Sequence, residues 1–344
     1  MFEAVVLVCL SLSGDICRHQ LIPGYEAQIK PACEAALAKR PPVSTDLEQA
    51  GDLNCQAVGP ALEFEEIAQG VFAHLGAIEE PNGSNLGDVA NIGFVIGSDS
   101  VAVIDSGSAR WIGEAVWRAI RARTDKPVSH VILTHMHPDH VLGALVLAEA
   151  GAEVVGHTRL ARALADRQEN YRESLSRLIG PAGFLGTGIA PVTRTVTDRT
   201  EIDLGDRVLE LRAWPVAHTG SDVTVLDRKS GILFTGDLVF HQHTPALDGQ
   251  LRGWRAVLEE LMASGASQIV PGHGGLVLPW PQGGEDLQRY LATLERDTRA
   301  AVVAGERLGD AITHIAESEA PHWDLFEAYN PRNATVAFTE LEWE

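Results

Sequence analysis

Cysteine is confined to one end of this chain: Cys9, Cys17, Cys33 and Cys55 lie in the first 55 residues, and none follows to residue 344. That absence restricts any disulfide staple to a small N-terminal module. Four cysteines allow three pairings, which the sequence does not rank, and ordinary buried thiols are the alternative. Positive charge is also short, 27 Lys and Arg against 47 Asp and Glu, for a formal charge of −20. Such a surface repels phosphate backbones and anionic membranes at long range, which excludes nucleic acid as a partner. It does not describe a pocket, where bound divalent cations can dominate the local field. Long apolar runs are lacking too. The stretch Ala4 to Leu12 is too short to span a bilayer, and Glu3 precedes it where a signal peptide carries positive charge. No low-complexity tract occurs.

What is present is a globular composition, 45% hydrophobic over 344 residues, enough for one large domain and a smaller appendage. The β-branched run Val5-Val6-Leu7-Val8 predicts a strand, and Pro31 opens a short helix to about Lys39 before Pro41-Pro42 breaks it and a linker follows. Phe64 to Leu75 alternates as one strand. Ile92 to Ile96 and Val101 to Ile104 form a hairpin turning at Gly97-Ser98-Asp99-Ser100. Then come a helix from Ala109 to Arg123, a strand Val128 to Leu133, a helix after His140 to Ala150, a strand Glu153 to Val155, and a long helix Thr158 to Ile179 that Gly180 terminates. Gly180 to Pro191 reads as a loop of the kind that borders sites. Strands follow at Val208 to Ala213, Val223 to Leu226, Ile232 to Phe234 and Gln268 to Val270, then a helix from Glu285 to Ala304. The tail carries Trp323, Leu325, Phe326, Tyr329, Phe338 and Trp343, too apolar for a solvated linker, and is expected to dock on the main domain or a neighbour. Mixed strands interspersed with helices predict an α/β sandwich.

The strongest chemical signal is Thr134-His135-Met136-His137-Pro138-Asp139-His140, directly after the apolar strand Val128 to Leu133. A strand end is a rigid platform, and a tight turn there lets neighbouring side chains diverge toward two adjacent sites. Imidazole nitrogen and carboxylate oxygen suit a borderline cation such as zinc. Desolvating so many titratable groups at one loop is costly without a metal. Three further candidates end apolar runs beside Gly or Thr: His218 in Pro215-Val216-Ala217-His218-Thr219-Gly220, Asp237 in Leu233-Phe234-Thr235-Gly236-Asp237, and His273 in Val270-Pro271-Gly272-His273-Gly274.

This set resembles the metallo-β-lactamase superfamily, whose pattern is HxHxDH, a distant His, a bridging Asp and a final His; the resemblance runs from about Leu62 to Leu291. It implies an αββα sandwich, two mixed sheets flanked by helices, with residues 1–57 as the cysteine module, 58–300 as the catalytic domain and 301–344 as a tail packed on it. It implies that His135, His137 and His218 hold one zinc ion, that Asp139, His140 and His273 hold a second, and that Asp237 bridges the two. Asp139 and Asp237 are then the catalytic carboxylates. The expected reaction is hydrolysis of an ester, thioester, lactone or amide by a metal-bridging hydroxide. Asp237 departs from the true β-lactamases, which lack this Asp, so antibiotic hydrolysis by a β-lactamase is a disfavoured alternative, and it agrees with glyoxalase II and lactonases. His137 departs from the di-iron oxygen-reducing branch, where a Glu is usual. Persulfide dioxygenases, with one iron, share these ligands and are an alternative, as is a catalytically idle binding partner of a periplasmic redox system. The complete ligand set argues against the idle partner.

Outside the metal motif, Val8-Cys9-Leu10, Cys17-Arg18, Leu21 to Glu26, Thr244 to Gly249 and Asn330 to Thr335 resemble the quinoprotein relay system zinc metallohydrolases, a group related to accessory hydrolases of sulfur oxidation. That likeness implies association with a periplasmic quinoprotein or sulfur-oxidation system and a small-molecule substrate. A small module has little core of its own and a disulfide offsets the deficit, so the expected compartment is an oxidising periplasm, with the export signal removed before residue 1; the alternative is the cytoplasm. His241 and His243 are candidates to line the substrate pocket, with the exposed-loop reading preferred. His157 is expected to cap local structure, and His19, His74, His130, His314 and His322 receive no role. Asp105 in Val103-Ile104-Asp105-Ser106-Gly107 is either a turn residue or a support for the metal ligands.

Overall fold

A computed structural model describes residues 1–10, 16–42 and 51–343. The expected linker after Pro42 and the end of the apolar stretch Ala4 to Leu12 lie in part outside the described residues. Strands β1 (Phe2–Cys9), β2 (Cys17–Ala27) and β3 (Asn54–Ala57) form a small antiparallel sheet in the order β2-β1-β3. Cys9–Cys17 closes its first hairpin, and Cys33–Cys55 ties helix α1 (Lys30–Lys39) to β3, so no cysteine is free.

The second sheet contains β4 (Glu65–Ala68), β5 (Val71–His74), β6 (Ile92–Ile96), β7 (Val101–Ile104), β8 (Val128–Leu133), β9 (Glu153–His157) and β10 (Arg194–Val196), ordered β10-β9-β8-β7-β6-β5-β4. Pairing is antiparallel from β4 to β7 and parallel from β7 to β10. The third contains β11 (Arg199–Asp203), β12 (Val208–Ala213), β13 (Val223–Asp227), β14 (Ile232–Phe240), β15 (Gln268–His273) and β16 (Leu278–Pro279) in sequence order. Only β14 and β15 run parallel in it.

Alternation along the strands sets the layers. In β7, Val101 and Val103 turn toward the helices α2 (Arg110–Arg121), α3 (Pro138–Val141), α4 (Ala144–Glu149), α5 (Leu160–Leu178) and α6 (Gly180–Phe184), while Ala102 and Ile104 meet the third sheet. There they pack with Leu211, Val225 and Phe234, all buried between the sheets. The outer face of the third sheet, through Leu233 and Ile269, packs against α7 (Leu251–Met262), α8 (Glu285–Val303), α9 (Leu308–Ala311) and α10 (Phe326–Leu341). Period-two burial on strands between period-3.6 helices yields the αββα sandwich expected from the sequence. Among the described residues no helix is long and apolar enough to cross a membrane.

Several sequence expectations need correction. Phe64 to Leu75 is two strands, because Gly70 takes a φ of +72° and reverses the chain between β4 and β5. Gly180 does end α5, with φ +78°, but the following stretch opens with α6 rather than a plain loop. The strand expected at Ile232 to Phe234 runs to Phe240, and helix α7 was not anticipated. The tail is a helix: Phe326, Phe338 and Leu341 of α10 are buried against α8, whereas Trp343 is 85% exposed.

The small sheet is attached through charge as much as through apolar contact. Its own core is little more than Ala4, Tyr25 and the Cys33–Cys55 pair. Glu114 of α2, with a side chain only 2% exposed, accepts from Arg18 at 2.9 and 3.1 Å, from Arg110 at 3.2 Å and from the Leu21 amide at 3.3 Å. Arg118 grips the buried Glu3 at 2.8 and 2.9 Å. Removing one partner of a buried ionic network strands the others without compensation. Glu114→Ala is therefore expected to lower stability by about 3 kcal/mol, read from urea unfolding. Thiol titration of the denatured, unreduced protein should find none of the four cysteines reactive, and all four after reduction.

Candidate metal centre

Strands and the turns that follow them deliver the candidate ligands to one place. β8 finishes at Leu133, and Pro138 at the start of α3 turns the chain at once, which sends His135 and His137 one way and Asp139 and His140 the other. His218 lies in the loop between β12 and β13, Asp237 within β14, and His273 at the end of β15. The parallel neighbours β14 and β15 approach so closely here that a Cβ on Gly272 would sit 1.9 Å from an Asp237 oxygen. Only glycine fits at 272.

The seven residues converge as two groups, His135, His137, His218 and Asp237 in one, Asp139, His140 and His273 in the other. His218 Nε2 is 3.1 Å from His137 Nδ1 and 3.4 Å from Asp237. His135 Nε2 lies 3.5 Å from the same carboxylate. On the other side His140 Nε2 is 3.1 Å from Asp237 and 3.4 Å from His273 Nε2, and His273 is 3.2 Å from Asp139. Asp237 thus touches both groups. Every candidate ligand named from the sequence is in this cluster.

Each imidazole is fixed by its outward nitrogen. His218 Nδ1 donates to the Ala246 carbonyl at 2.6 Å and His273 Nδ1 to the Val89 carbonyl at 3.0 Å. His140 Nδ1 meets Asp105 at 2.8 Å, and His137 Nε2 meets Asp248 at 3.2 Å. Thr134 spends its hydroxyl proton on Asp105 at 2.8 Å, so its oxygen accepts from His135 Nδ1 at 3.0 Å. With those protons placed outward, the inward nitrogens of His137 and His218 present lone pairs to each other. Two lone pairs at 3.1 Å repel unless a proton or a cation sits between them. His135 Nε2 is buried with no hydrogen-bond partner, and the buried Asp237 Oδ1, though 3.1 Å from His140 Nε2, makes no well-aligned hydrogen bond. Orphaned buried donor atoms of a nitrogen and oxygen set are what a borderline divalent cation satisfies, so the residues fit a metal.

Electrostatics agree. Burial and the neighbouring imidazoles hold His135 well below its usual range, and burial pushes His218 down to about 3, so both offer free nitrogens at neutral pH. Burial also disfavours charge on His140 and His273, yet the facing carboxylates win: Asp237, Asp139 and Asp105 hold His140 well up, and Asp237 and Asp139 hold His273 up to about 9. Without a cation these two protons neutralise the carboxylates. A cation replaces them, so metal binding releases protons and tightens as pH rises.

Asp105 is a support and not merely a turn residue: it is buried at φ +62°, and besides His140 and the Thr134 hydroxyl it accepts from the Thr134 amide at 2.8 Å. The exposed-loop reading of His243 is overturned. Its ring is 2% exposed, donates to the Thr244 carbonyl at 2.6 Å, stands 4.9 Å from His273 and lines the cleft above the cluster. His241 is half-buried and lies outside that lining. His157 holds the Arg159 amide at 3.0 Å, as a local cap. His74, given no role, bridges the Glu63 carbonyl and Asp88 at 2.8 Å each and so fixes the loop that carries Val89.

Asp248, Tyr171, Tyr329 and Arg332, to which the sequence had assigned no site role, also line the cleft of about 610 Å³ over the cluster. Asp248 lies inside the Thr244 to Gly249 stretch and Arg332 inside Asn330 to Thr335, so the likeness of those two segments to known hydrolases was the available signal. The tyrosines and the arginine sit on helices whose placement over the site is tertiary.

The metallo-beta-lactamase superfamily model matches residues 86–273, more than half of the chain. No curated protein sequence matches it. Among solved structures, a metallo-beta-lactamase from Pontibacter korlensis is 21% identical, with 67% of this chain and 99% of that one covered and a TM-score of 0.55. The sec-alkylsulfatase Pisa1 from Pseudomonas sp. is 15% identical with a TM-score of 0.63, and 81% of this chain covers 50% of it, so the chain spans half that enzyme's length. The metallo-beta-lactamase FIM-1 from Pseudomonas aeruginosa, in a mono-zinc form, is 19% identical, with 69% and 97% covered and a TM-score of 0.52. At these identities the likeness is one of fold. Motif, sandwich and clustered ligands agree with the family match, and the chain belongs to the metallo-β-lactamase superfamily.

Proposed function

We propose that this protein is a dinuclear zinc hydrolase that cleaves an ester, thioester, lactone or amide. The observation that carries the reading is Asp237, one buried carboxylate within 3.5 Å of His135, His218, His140 and His273 and thus shared by both donor groups. Two bound cations supply the Lewis acidity that activates water and polarises a carbonyl. The chain's own residues do the rest. Asp139, held far below the usual carboxylate range by His140 and His273 against the effect of burial, stays an anion and completes the second group. Asp105 and Asp248 keep His140 and His137 in the one tautomer that turns a lone pair inward. The Tyr171 hydroxyl, buried without a partner in the cleft wall and pushed up by burial beyond the usual phenol range, remains a protonated donor available to a substrate oxygen.

The bridging position of Asp237 supports this class over antibiotic hydrolysis. The segments that resemble the quinoprotein relay and sulfur-oxidation hydrolases support that finer assignment, because two of them brace the site. Thr244 to Gly249 carries the Ala246 carbonyl and Asp248, and Asn333 of α10 holds the Leu247 amide at 2.9 Å and the Pro245 carbonyl at 2.6 Å. Two disulfides support an oxidising compartment such as the periplasm. The division into residues 1–57, 58–300 and 301–344 belongs to the same proposal.

Plasma mass spectrometry on protein purified without added metal is expected to give about two zinc ions per chain. About one iron with little zinc would overturn the hydrolase in favour of a dioxygenase. Asp237→Ala should lose second-metal occupancy and nearly all turnover. Asp105→Ala leaves His140 unanchored, and chelator competition should show the site formed by Asp139, His140 and His273 loosened by roughly ten- to a hundredfold.

A further inference from the structure

The charges that line the cleft, apart from the metal ligands, divide into those with partners and those without. Glu79 accepts from Asn82 at 3.1 Å and from Asn85 at 3.2 Å. Glu80 lies beside the Tyr329 hydroxyl. Asp248 accepts from His137 and pairs with Arg167 at 3.2 Å. The acids of the lining therefore each have a donor beside them. The two cations, Arg177 of α5 and Arg332 of α10, are exposed residues of the same lining. Among the described residues neither guanidinium has a carboxylate or a hydrogen-bond acceptor, and Arg332 has only the Tyr329 ring, 5.8 Å away.

A shortage of acids does not account for this. Acids outnumber bases 47 to 27 in the chain, and Arg167, ten residues before Arg177 on the same helix, has found one. Leu175, Leu178, Leu247 and Val336 supply an apolar stretch of the same wall. A cleft that combines apolar wall residues with unpaired planar donors suits a molecule with an apolar middle and an anionic end, since guanidinium forks match carboxylate oxygens in pairs. Local cations are also what an anion needs to approach a protein whose net charge is −20.

We propose that Arg177 and Arg332 bind a carboxylate at the far end of the substrate, so that the acyl group cleaved is one that bears a second, ionised terminus beyond an apolar spacer. This rests on the hydrolase reading for the word substrate, but the anion site itself can be measured without turnover. In the metal-loaded protein, 4-nitrophenyl esters of a neutral acid and of a dicarboxylic acid of equal chain length are to be compared with wild type, Arg177→Gln, Arg332→Gln and the double variant. Wild type should prefer the carboxylate-ended ester by roughly tenfold in kcat/KM, mainly through KM, and the double variant should abolish that ratio. Equal kcat/KM for the two esters in wild type, or a preference that survives in the double variant, would refute the assignment.

If neither ester is cleaved, the hydrolase reading suffers, and calorimetric titration with suberate decides the anion site. Binding to wild type that weakens by roughly tenfold in the double variant upholds it. Equal affinity in both proteins, or no binding to wild type, sinks it.

Discussion

Five imidazoles and two carboxylates are packed at one point with most of their surface withdrawn from water, and the rest of the architecture can be understood from how that arrangement is kept from flying apart or collapsing. Left to themselves, the rings would rotate to hydrogen-bond one another. The protein forbids it by assigning each outward nitrogen a partner: Thr134, Asp248, Asp105 and the carbonyls of Ala246 and Val89. With the outward nitrogens so occupied, the inward ones face the carboxylates and one another, and are satisfied by a cation or, at His140 and His273, by a second proton that a cation displaces. The two donor groups are joined through Asp237, so a change at one is felt at the other.

Those partners come from distant parts of the chain, and each is itself restrained. Val89 sits on a loop fixed by His74 through Asp88. Ala246 and Asp248 sit on a loop held by Asn333, whose amide also meets the Tyr290 hydroxyl at 2.8 Å and so links the loop to both α8 and α10. The C-terminal helices are thus part of the site's geometry although they contribute no candidate ligand. Rigid elements behind an ion site keep distances within the narrow limits that coordination tolerates.

How much of this could be read beforehand follows from which interactions are local. Val128 to Leu133 is a continuous apolar run, and a histidine-rich turn directly after it is legible because strand, turn and ligands are contiguous. His218, Asp237 and His273 were legible because each follows its own apolar run. Asp105 stayed ambiguous because a turn Asp beside Gly and a ligand support look alike until Thr134 and His140 are brought to it from about 30 residues away. His243 was misjudged for the same reason: its burial comes from His273, Phe240 and Tyr329, contacts that sequence spacing does not encode. Helix α7 was missed although Trp254, Leu258 and Leu261 fall at helical spacing, because Gly253 inside it weakens the pattern; a Cβ there would meet the Val216 carbonyl at 2.1 Å, so tertiary contact rather than propensity chose the residue.

Net charge proved the least informative property for the site. The surface acids give −20, yet the cleft's own acids each have donors beside them, and two divalent ions would exceed the charge of the two ligand carboxylates. The N-terminal sheet makes the complementary point. There charge serves attachment: Glu114 gathers Arg18 and Arg110 under cover, and Arg110 continues to Glu149 of α4, the helix that follows the metal-binding turn. A buried ionic network is a costly way to gain stability but a specific one, since it fits only the partner that supplies every counter-charge. The small sheet, too poor in core to dock by apolar area alone, is placed by that specificity against α2 and α4, which pack on β8 and its neighbours directly behind the ligand turn.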